Sequence, residues 1–304
     1  MIHLSAPPKT AVWPPLPLAE WQPTLATLHM WTQVVGKIRL ACTPLVNHWW
    51  NVPLYVTARG LTTSAMPYED RSFQIDFDFI DHQLLIQCSD GAFRTLKLEP
   101  RSVASFYHEV FRLLAELDIP VRIWKVPVEI EDPVAFDQDE LHASYDADAA
   151  RRCWQVLSQV SRVLEIFRGR FAGKCSPVHF FWGSFDLAVT RFSGRRAPVR
   201  EGADPITREA YSHEVFSHGF WPGSGQQDAA FYAYAAPVPP GIANVKVHPK
   251  EAFYSSELGE FLLPYETVRK AANPEATLLS FLQSTYEAGA TLARWDRTAL
   301  ERME

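Results

Sequence analysis

Residues 174–191 read KCSPVHFFWGSFDLAVTR, an aromatic run that also carries charged and other polar side chains. Polar groups inside an apolar segment cost free energy unless they find hydrogen-bonding partners. The apolar content predicts one buried strand across most of the run, in which successive side chains point to opposite faces. We expect His179 and Arg191 on one face and Ser184 and Asp186 on the other. Any site in this chain is therefore expected near these residues.

Composition bounds the protein class. The chain has 304 residues, of which 47% are hydrophobic and 21% are charged, as in ordinary globular domains. Aromatic residues make up 13% and include ten tryptophans, which favours large aromatic cores or an aromatic-lined pocket. The net charge of -6 and the short basic clusters do not favour a nucleic-acid partner. The chain carries neither a long apolar run nor a signal-peptide pattern, which predicts no membrane span and a cytoplasmic location.

Apolar spacing predicts the elements. A Pro-rich arm covers residues 1–18, and an acidic, Pro-containing connector covers residues 131–146. Apolar residues spaced three or four positions apart predict helices over 18–38, 102–117, 146–170 and 275–295. Alternating or aromatic runs predict strands over 49–58, 73–79, 84–88, 93–98, 121–130, 211–220, 229–236 and 253–265.

Two parts of the chain also resemble each other. Trp21, Gly36, Cys42 and Pro44 align with Trp154, Gly169, Cys175 and Pro177, and after a one-residue shift Trp50 and Arg59 align with Trp182 and Arg191. A repeat of this kind predicts two related units. We therefore expect an internally duplicated α+β protein with two αβββα halves, residues 19–130 and 147–304, whose helices pack on antiparallel sheets.

Candidate chemistry rests on a small set of polar residues. Burial of Asp186 would call for a partner such as Arg59 or Arg191, or would give it a catalytic or binding role. Lys174 could lower the pKa of the Cys175 thiol, but the aligned Cys42 favours a buried turn residue instead. The residues proposed for catalysis are His179, Asp186, His213 and Glu214. Those proposed for ligand binding are Asn47, His48, Arg59, Trp182, Ser184 and Arg191.

A metal site is a weaker possibility. The segment around His213, Glu214 and His218 lacks the H-E-x-x-H spacing, and on a strand the two histidines point to opposite faces. It could bind a metal only with help from elsewhere, such as His179. No metal ligand set and no cofactor are assigned from the sequence.

Three functions therefore remain open. The first is a small-molecule enzyme or binding protein with an aromatic-lined cleft between two pseudo-symmetric halves. The second is a non-enzymatic structural or protein-interaction module, and the third is a metal-dependent enzyme that uses His179, His213 and Glu214. A small molecule is the expected partner, nucleic acid and membrane are not, and the oligomeric state is left open.

Three longer blocks carry a family resemblance. Residues 47–61, 174–195 and 209–214 resemble an uncharacterised bacterial family known only as a domain of unknown function, and the similarity extends from Trp13 to Trp295. The resemblance implies a bacterial, single-chain soluble protein. It implies no activity, cofactor or catalytic residue.

Overall fold

A computed structural model describes residues 12–302. Its helices are α1 (Leu18–Cys42), α2 (Val103–Glu116), α3 (Ala147–Gly169), α4 (Pro205–Ala210), α5 (Tyr265–Arg269), α6 (Pro274–Leu292) and α7 (Arg297–Leu300). The first sheet contains β1 (Tyr55–Val56), β2 (Gly60–Thr62), β3 (Met66–Tyr68), β4 (Arg71–Asp78), β5 (Gln83–Cys88) and β6 (Phe93–Lys97). The second contains β7 (His179–Phe181), β8 (Asp186–Arg196), β9 (His213–Ser224), β10 (Gln227–Ala236), β11 (Phe253–Ser255) and β12 (Glu260–Pro264). The predicted α+β class, with antiparallel sheets and packed helices, is confirmed.

Both sheets are antiparallel and follow the chain closely. The first has the strand order β1-β2-β4-β5-β6, with β3 also paired to β4, and the second has the order β11-β12-β10-β9-β8-β7. Backbone hydrogen bonds in both directions between Leu54 and Phe180, each 2.9 Å long, connect the two sheets at their first strands. The two meanders therefore meet edge to edge.

Helix α1 is the central element. Most of its residues are buried, and α1 packs against α2, α3 and strands of both sheets. The ring of Trp31 stacks on Phe106 of α2, with 4.7 Å between centroids, and on Tyr145 at 5.5 Å. Polar residues on α1, including Gln33 and Lys37, are also buried and must find partners inside the protein.

Strand β4 shows the predicted alternation. Phe73, Ile75 and Phe77 are almost fully buried, while Gln74 and Asp76 between them face outward and share a hydrogen bond. The period-two pattern was sufficient here because one face of the sheet is covered by the core and the other is exposed.

The described end of the Pro-rich arm is fixed to α5. Residues 1–11 of the predicted arm lie outside the described residues. Trp13 and Leu16 are buried, and the Tyr265 hydroxyl donates a 2.7 Å hydrogen bond to the Pro14 carbonyl.

The prediction of one long strand over most of 174–191 is wrong. The run forms a hairpin, in which β7 and β8 flank a turn at residues 182–185. Phe185 has a φ of 57°, in the left-handed region, because the turn requires this conformation. The chain reverses, so His179 lies opposite Ala188 and not in line with Arg191.

Residues 121–130 do not form the predicted strand. Pro127 cannot donate to a ladder, and the segment instead bonds to side chains of α1. The Gln33 amide donates to the Val128 carbonyl and accepts from the Val128 N–H, both at 2.9 Å, and Lys37 Nζ donates to the Val126 carbonyl. We call residues 121–130 the strap.

The structure does not confirm the internal duplication in the predicted alignment. Trp50 precedes β1 whereas Trp182 follows β7, so the two tryptophans occupy different places. Arg59 is about half exposed and pairs with acids, whereas the guanidinium of Arg191 is buried against rings. The sheets are also larger than expected, with six strands each instead of three.

Candidate functional site

The second sheet has one covered face and one open face. On β8, Leu187, Val189 and Arg191 point to the side that packs on α3 and α6, where the Arg191 guanidinium lies 3.4 Å from the Phe167 ring centroid. Alternation places Asp186 and Ala188 on the opposite face. A cleft covers this open face.

The cleft consists of two adjoining cavities. The first, of about 820 Å³, lies between the open face, the end of α1 with residues 48–52, the strap, and α4. The second, of about 710 Å³, lies between the open face and the β11–β12 hairpin. Both volumes suit a small organic molecule. The side chains shared by the two cavities are Ser184, Asp186, Tyr232 and Tyr234.

Asp186 lies at the boundary of the two cavities with only 7% of its surface exposed. Its carboxylate accepts hydrogen bonds from the hydroxyls of Ser184 and Tyr232, one on each oxygen. Burial raises the pKa of Asp186, although both hydrogen bonds act in the opposite direction. A buried carboxyl that faces a cavity and has a raised pKa can serve as a general acid or base.

Tyr232 reaches Asp186 because β9 carries a glycine between them. Register pairs Tyr232 on β10 with Gly219 on β9, and Gly219 with Ala188 on β8. A β-carbon on Gly219 would stand 2.4 Å from the Tyr232 hydroxyl oxygen. The missing side chain therefore lets the tyrosine ring cross one strand.

Two further carboxyl groups flank Asp186. Glu129 of the strap lies in the first cavity and Glu260 of β12 in the second. Burial, followed by the charge of Asp186, raises the pKa of both groups, and that of Glu260 reaches about 6. Gly183 makes room for Glu129, whose carboxylate oxygen would lie 2.6 Å from a β-carbon there.

A row of hydroxyl groups continues along the open face. Tyr211 and Tyr234 share a 2.9 Å hydrogen bond, and Thr190 and Ser217 share one of 3.0 Å. These hydroxyls can both donate and accept, so they can adapt to different polar groups on a ligand.

Among the residues that line the two cavities, basic side chains occur only in the first cavity. Lys37 lines the first cavity, and burial lowers its pKa to about 8. His48 also lines it, in a left-handed conformation with φ of 59°. Lys174 Nζ donates to His48 Nε2 at 2.8 Å, while His48 Nδ1 donates to the Glu209 carbonyl at 3.1 Å.

The structure brings together part of the predicted site. His48, Trp182, Ser184 and Asp186 line the first cavity, and Trp182 also donates from its indole nitrogen to the Val52 carbonyl at 2.9 Å. The cleft thus draws walls from both predicted halves, but its floor is the open face of the second sheet.

The other predicted catalytic residues lie elsewhere. His179 is almost fully buried among Trp50, Tyr55 and Phe181, where burial lowers its pKa to about 3 and keeps it neutral. Glu214 accepts from Arg195 at 2.6 Å on the helix-facing side.

Histidine and arginine candidates are also separated from the cavities. The His213 ring packs 5.6 Å from that of His48 but does not line the cleft, and Asn47 is exposed near it. Arg59 binds Asp78 and Asp81, each at 2.6 Å, on the first sheet. Arg191 is enclosed by Phe167 and Tyr286 on the far side of the second sheet.

Within residues 12–302, no three His, Cys, Asp or Glu side chains are grouped to hold a metal ion. His179, His213 and Glu214 are accordingly not arranged as a ligand set. The pKa of the Cys175 thiol is raised by burial to about 11, which leaves it a poor nucleophile.

Several cleft residues were not predicted from the sequence. Tyr232 and Tyr234 alternate with Phe231 and Ala233, so the period-two rule could have placed both hydroxyls on one face. Glu129 gave no usable signal because its position depends on how the strap packs against α1.

Residues 13–302 match the family of unknown function DUF5996. The chain belongs to this family. The match includes all the elements that form the cleft, and it confirms the resemblance drawn from the sequence blocks. No curated protein and no solved structure matched the chain of this DUF5996 member. None of the helices within the described residues has both the length and the apolar character needed to cross a bilayer.

Proposed function

We propose that the protein binds a small organic molecule in the two joined cavities and that Asp186 is the acid–base group of the site. The observation that carries this proposal is the buried carboxyl of Asp186 at the boundary of both cavities. Buried carboxyls with raised pKa values cost stability, and such groups concentrate at functional sites. Tyr232 and Ser184 fix its orientation, which a catalytic or binding group requires.

Aromatic walls support a small-molecule ligand. Trp50 and Trp182 line the first cavity, and Trp221 and Phe253 line the second. Apolar walls with a few convergent polar groups are typical of ligand pockets. This arrangement favours an enzyme or binding protein over a structural module, whose aromatic residues would be enclosed in its core.

A fragment screen by ligand-observed NMR tests the proposal. We expect fragments to bind the wild type and to lose binding in Ala230→Trp, which places a ring in the second cavity, and in Ala188→Trp, which fills the first. Asp70→Trp, at an exposed turn outside the cleft, is the control. Circular dichroism and thermal melts verify that each variant folds. If fragments bind all folded variants equally, or bind none, the cleft is not a ligand site and the interaction-module alternative is favoured.

Asp186→Asn separates binding from catalysis. The amide has nearly the same shape but cannot exchange a proton near neutral pH. For an enzyme, conversion of a substrate identified by the screen should be lost in this variant even at substrate concentrations that saturate its cleft. A pure binding protein would show no conversion in either form.

We also propose that the two meanders derive from a duplication. Each follows a long helix and a short turn containing proline, and each ends before a further helix. Their first strands pair antiparallel at Leu54 and Phe180, as a two-fold axis would require. Superposition of residues 18–116 on residues 147–292 tests this idea, and unrelated strand paths would refute it.

The four cysteines, Cys42, Cys88, Cys153 and Cys175, are free thiols. Free thiols are usual in a reducing compartment, which supports the proposed cytoplasmic location. Fractionation of producing cells checks this assignment.

A further inference from the structure

The buried carboxylate of Asp186 differs from the other buried carboxylates in its hydrogen-bonding partners. The buried carboxylates in the described part of the chain are Asp78, Asp139 and Asp186. Asp78 has Arg59 at 2.6 Å, and Asp139 has the His142 ring at 2.7 Å. Asp186 has hydrogen bonds from two neutral hydroxyls but no cationic partner among the ion pairs of the described residues.

The charged side chains that line the second cavity, beside Asp186, are all acidic. Among the described residues, the lining of the second cavity contains four carboxylates and no lysine, arginine or histidine. One oxygen of Asp228 accepts a 3.2 Å hydrogen bond from the Leu18 N–H at the start of α1. The other three carboxylates that line this cavity are Asp186, Glu257 and Glu260.

Register brings Glu260 to the same face as Asp186. Strand β12 pairs Leu262 with Tyr232 and Phe261 with Ala233, so Glu260 comes next, beside Tyr234, on the open face. The charge of Asp186 adds to burial in raising the pKa of Glu260, and a positive charge placed near both carboxyl groups would offset this unfavourable interaction.

Aromatic side chains complete a suitable environment. Trp221, Tyr232 and Phe253 line the same cavity, and Phe253 is half exposed toward its mouth. Ring faces attract ammonium groups, and the attraction strengthens where water is excluded. Carboxylates and ring faces together distinguish an organic cation from a neutral or anionic molecule.

We infer that the ligand of this cleft carries a protonated amine, which lies against Asp186 and Glu260 in the second cavity. The inference rests on the proposed function, since it assigns a chemical class to the ligand of the same cleft. The amine supplies the counter-charge that Arg59 provides for Asp78 and that no ion pair of the described residues provides for Asp186.

The test uses compounds that differ only in charge. A set of aryl-alkyl skeletons is prepared as amine, alcohol and carboxylate, with 4-phenylbutylamine, 4-phenylbutan-1-ol and 4-phenylbutyrate as one triplet. Binding to the full chain at pH 7.5 is measured by ligand-observed NMR and calorimetry. We expect the amines to bind at least about tenfold tighter than the alcohols, as one desolvated charge pair allows.

Charge-neutral variants locate the preference. Asp186→Asn and Glu260→Gln should each reduce amine affinity at least about fivefold and change alcohol affinity by a smaller factor, so that the preference for the amine falls. Asp70→Asn, which removes the same charge at an exposed turn, should leave both affinities unchanged. If Asp186→Asn fails to fold, Glu260→Gln provides the same comparison at a half-buried position.

The outcomes separate the two proposals. Cleft binding without a preference for amines, or a preference that persists in both variants, overturns the cation inference but leaves the proposed function intact. Absence of any binding that is sensitive to Ala230→Trp or Ala188→Trp overturns both.

Discussion

The ring of Tyr232 lies directly over Gly219, and its hydroxyl bonds the Asp186 carboxylate one strand further on. The absence of a side chain at Gly219 thus leaves space for the Tyr232 ring to cross β9. The contact is a property of the sheet as a whole, because three adjacent strands must be in register to create it.

Gly219→Ala tests this arrangement. The new β-carbon would meet the Tyr232 hydroxyl at 2.4 Å and the Leu187 carbonyl oxygen at 2.6 Å, so the ring must move away from Asp186. We expect a loss of about 2–3 kcal/mol in the free energy of unfolding, measured by urea denaturation. Gly169→Ala, where a β-carbon meets nothing within 4 Å, should leave stability nearly unchanged. Equal stability of the two variants would show that Tyr232 does not need a glycine at position 219 to reach Asp186.

Glu260→Gln should change the pH dependence of stability. The pKa of Glu260 is raised from 4.5 to about 6 by burial, so protonation stabilises the fold fully below pH 4.5 and this stabilisation is lost as the pH rises through 6. The neutral amide should therefore add on the order of 1 kcal/mol above pH 6 and nothing below pH 4.5.

Glu266→Gln provides the opposite case, and thermal melts across pH measure both this variant and Glu260→Gln. Hydrogen bonding by Arg269, and then by Lys270, lowers the pKa of Glu266 to about 2. Its ionised form therefore stabilises the fold, and the substitution should lose stability at neutral pH. Parallel behaviour of the two variants would contradict both assignments.

Tyr232→Phe should raise the pKa of Asp186 further. The Tyr232 hydroxyl donates to the carboxylate and thereby favours its ionised form, so removing the hydroxyl favours the protonated form. Carbon-13 NMR titration of the Asp186 carboxyl measures the change. Tyr234→Phe is the matched control, because the Tyr234 hydroxyl bonds Tyr211, and it should produce a smaller shift.

Arg191→Lys should destabilise the protein by about 2 kcal/mol in chemical denaturation. The planar guanidinium lies 3.4 Å from the Phe167 ring centroid and 4.3 Å from that of Tyr286, and an ammonium cannot stack in this way. Arg59→Lys, at a half-exposed position paired with Asp78 and Asp81, should cost clearly less stability than Arg191→Lys. A small effect at Arg191 would show that its stacking does not support the core.

Local sequence patterns predicted those elements in which a single neighbouring element decides which face is buried. The alternation of Phe73, Ile75 and Phe77 identified β4, and the acid at Asp146 that caps α3 marked its start. The turn at residues 182–185 was missed because its composition is aromatic. It is stabilised by a distant contact, in which His29 donates to the Gly183 carbonyl at 2.7 Å.

The same limit applies to the site. Ser184 and Asp186 were identified because they are polar residues in an apolar run, and they do lie in the cleft. Glu129 and Glu260 come from the strap and from β12, and only the packing of these elements brings them to Asp186. The hairpin register puts His179 opposite Ala188, but the rings of Trp50, Tyr55 and Phe181 pack around His179 and keep it out of the cleft.

The strap forms one wall of the first cavity without belonging to either sheet. The side chains of Gln33 and Lys37 attach it to α1. Substitutions along residues 121–130 can therefore reshape this wall while every strand keeps its partner. If the cleft binds a ligand as we propose, the strap is the place where its ligand preference can be redesigned at little cost to folding.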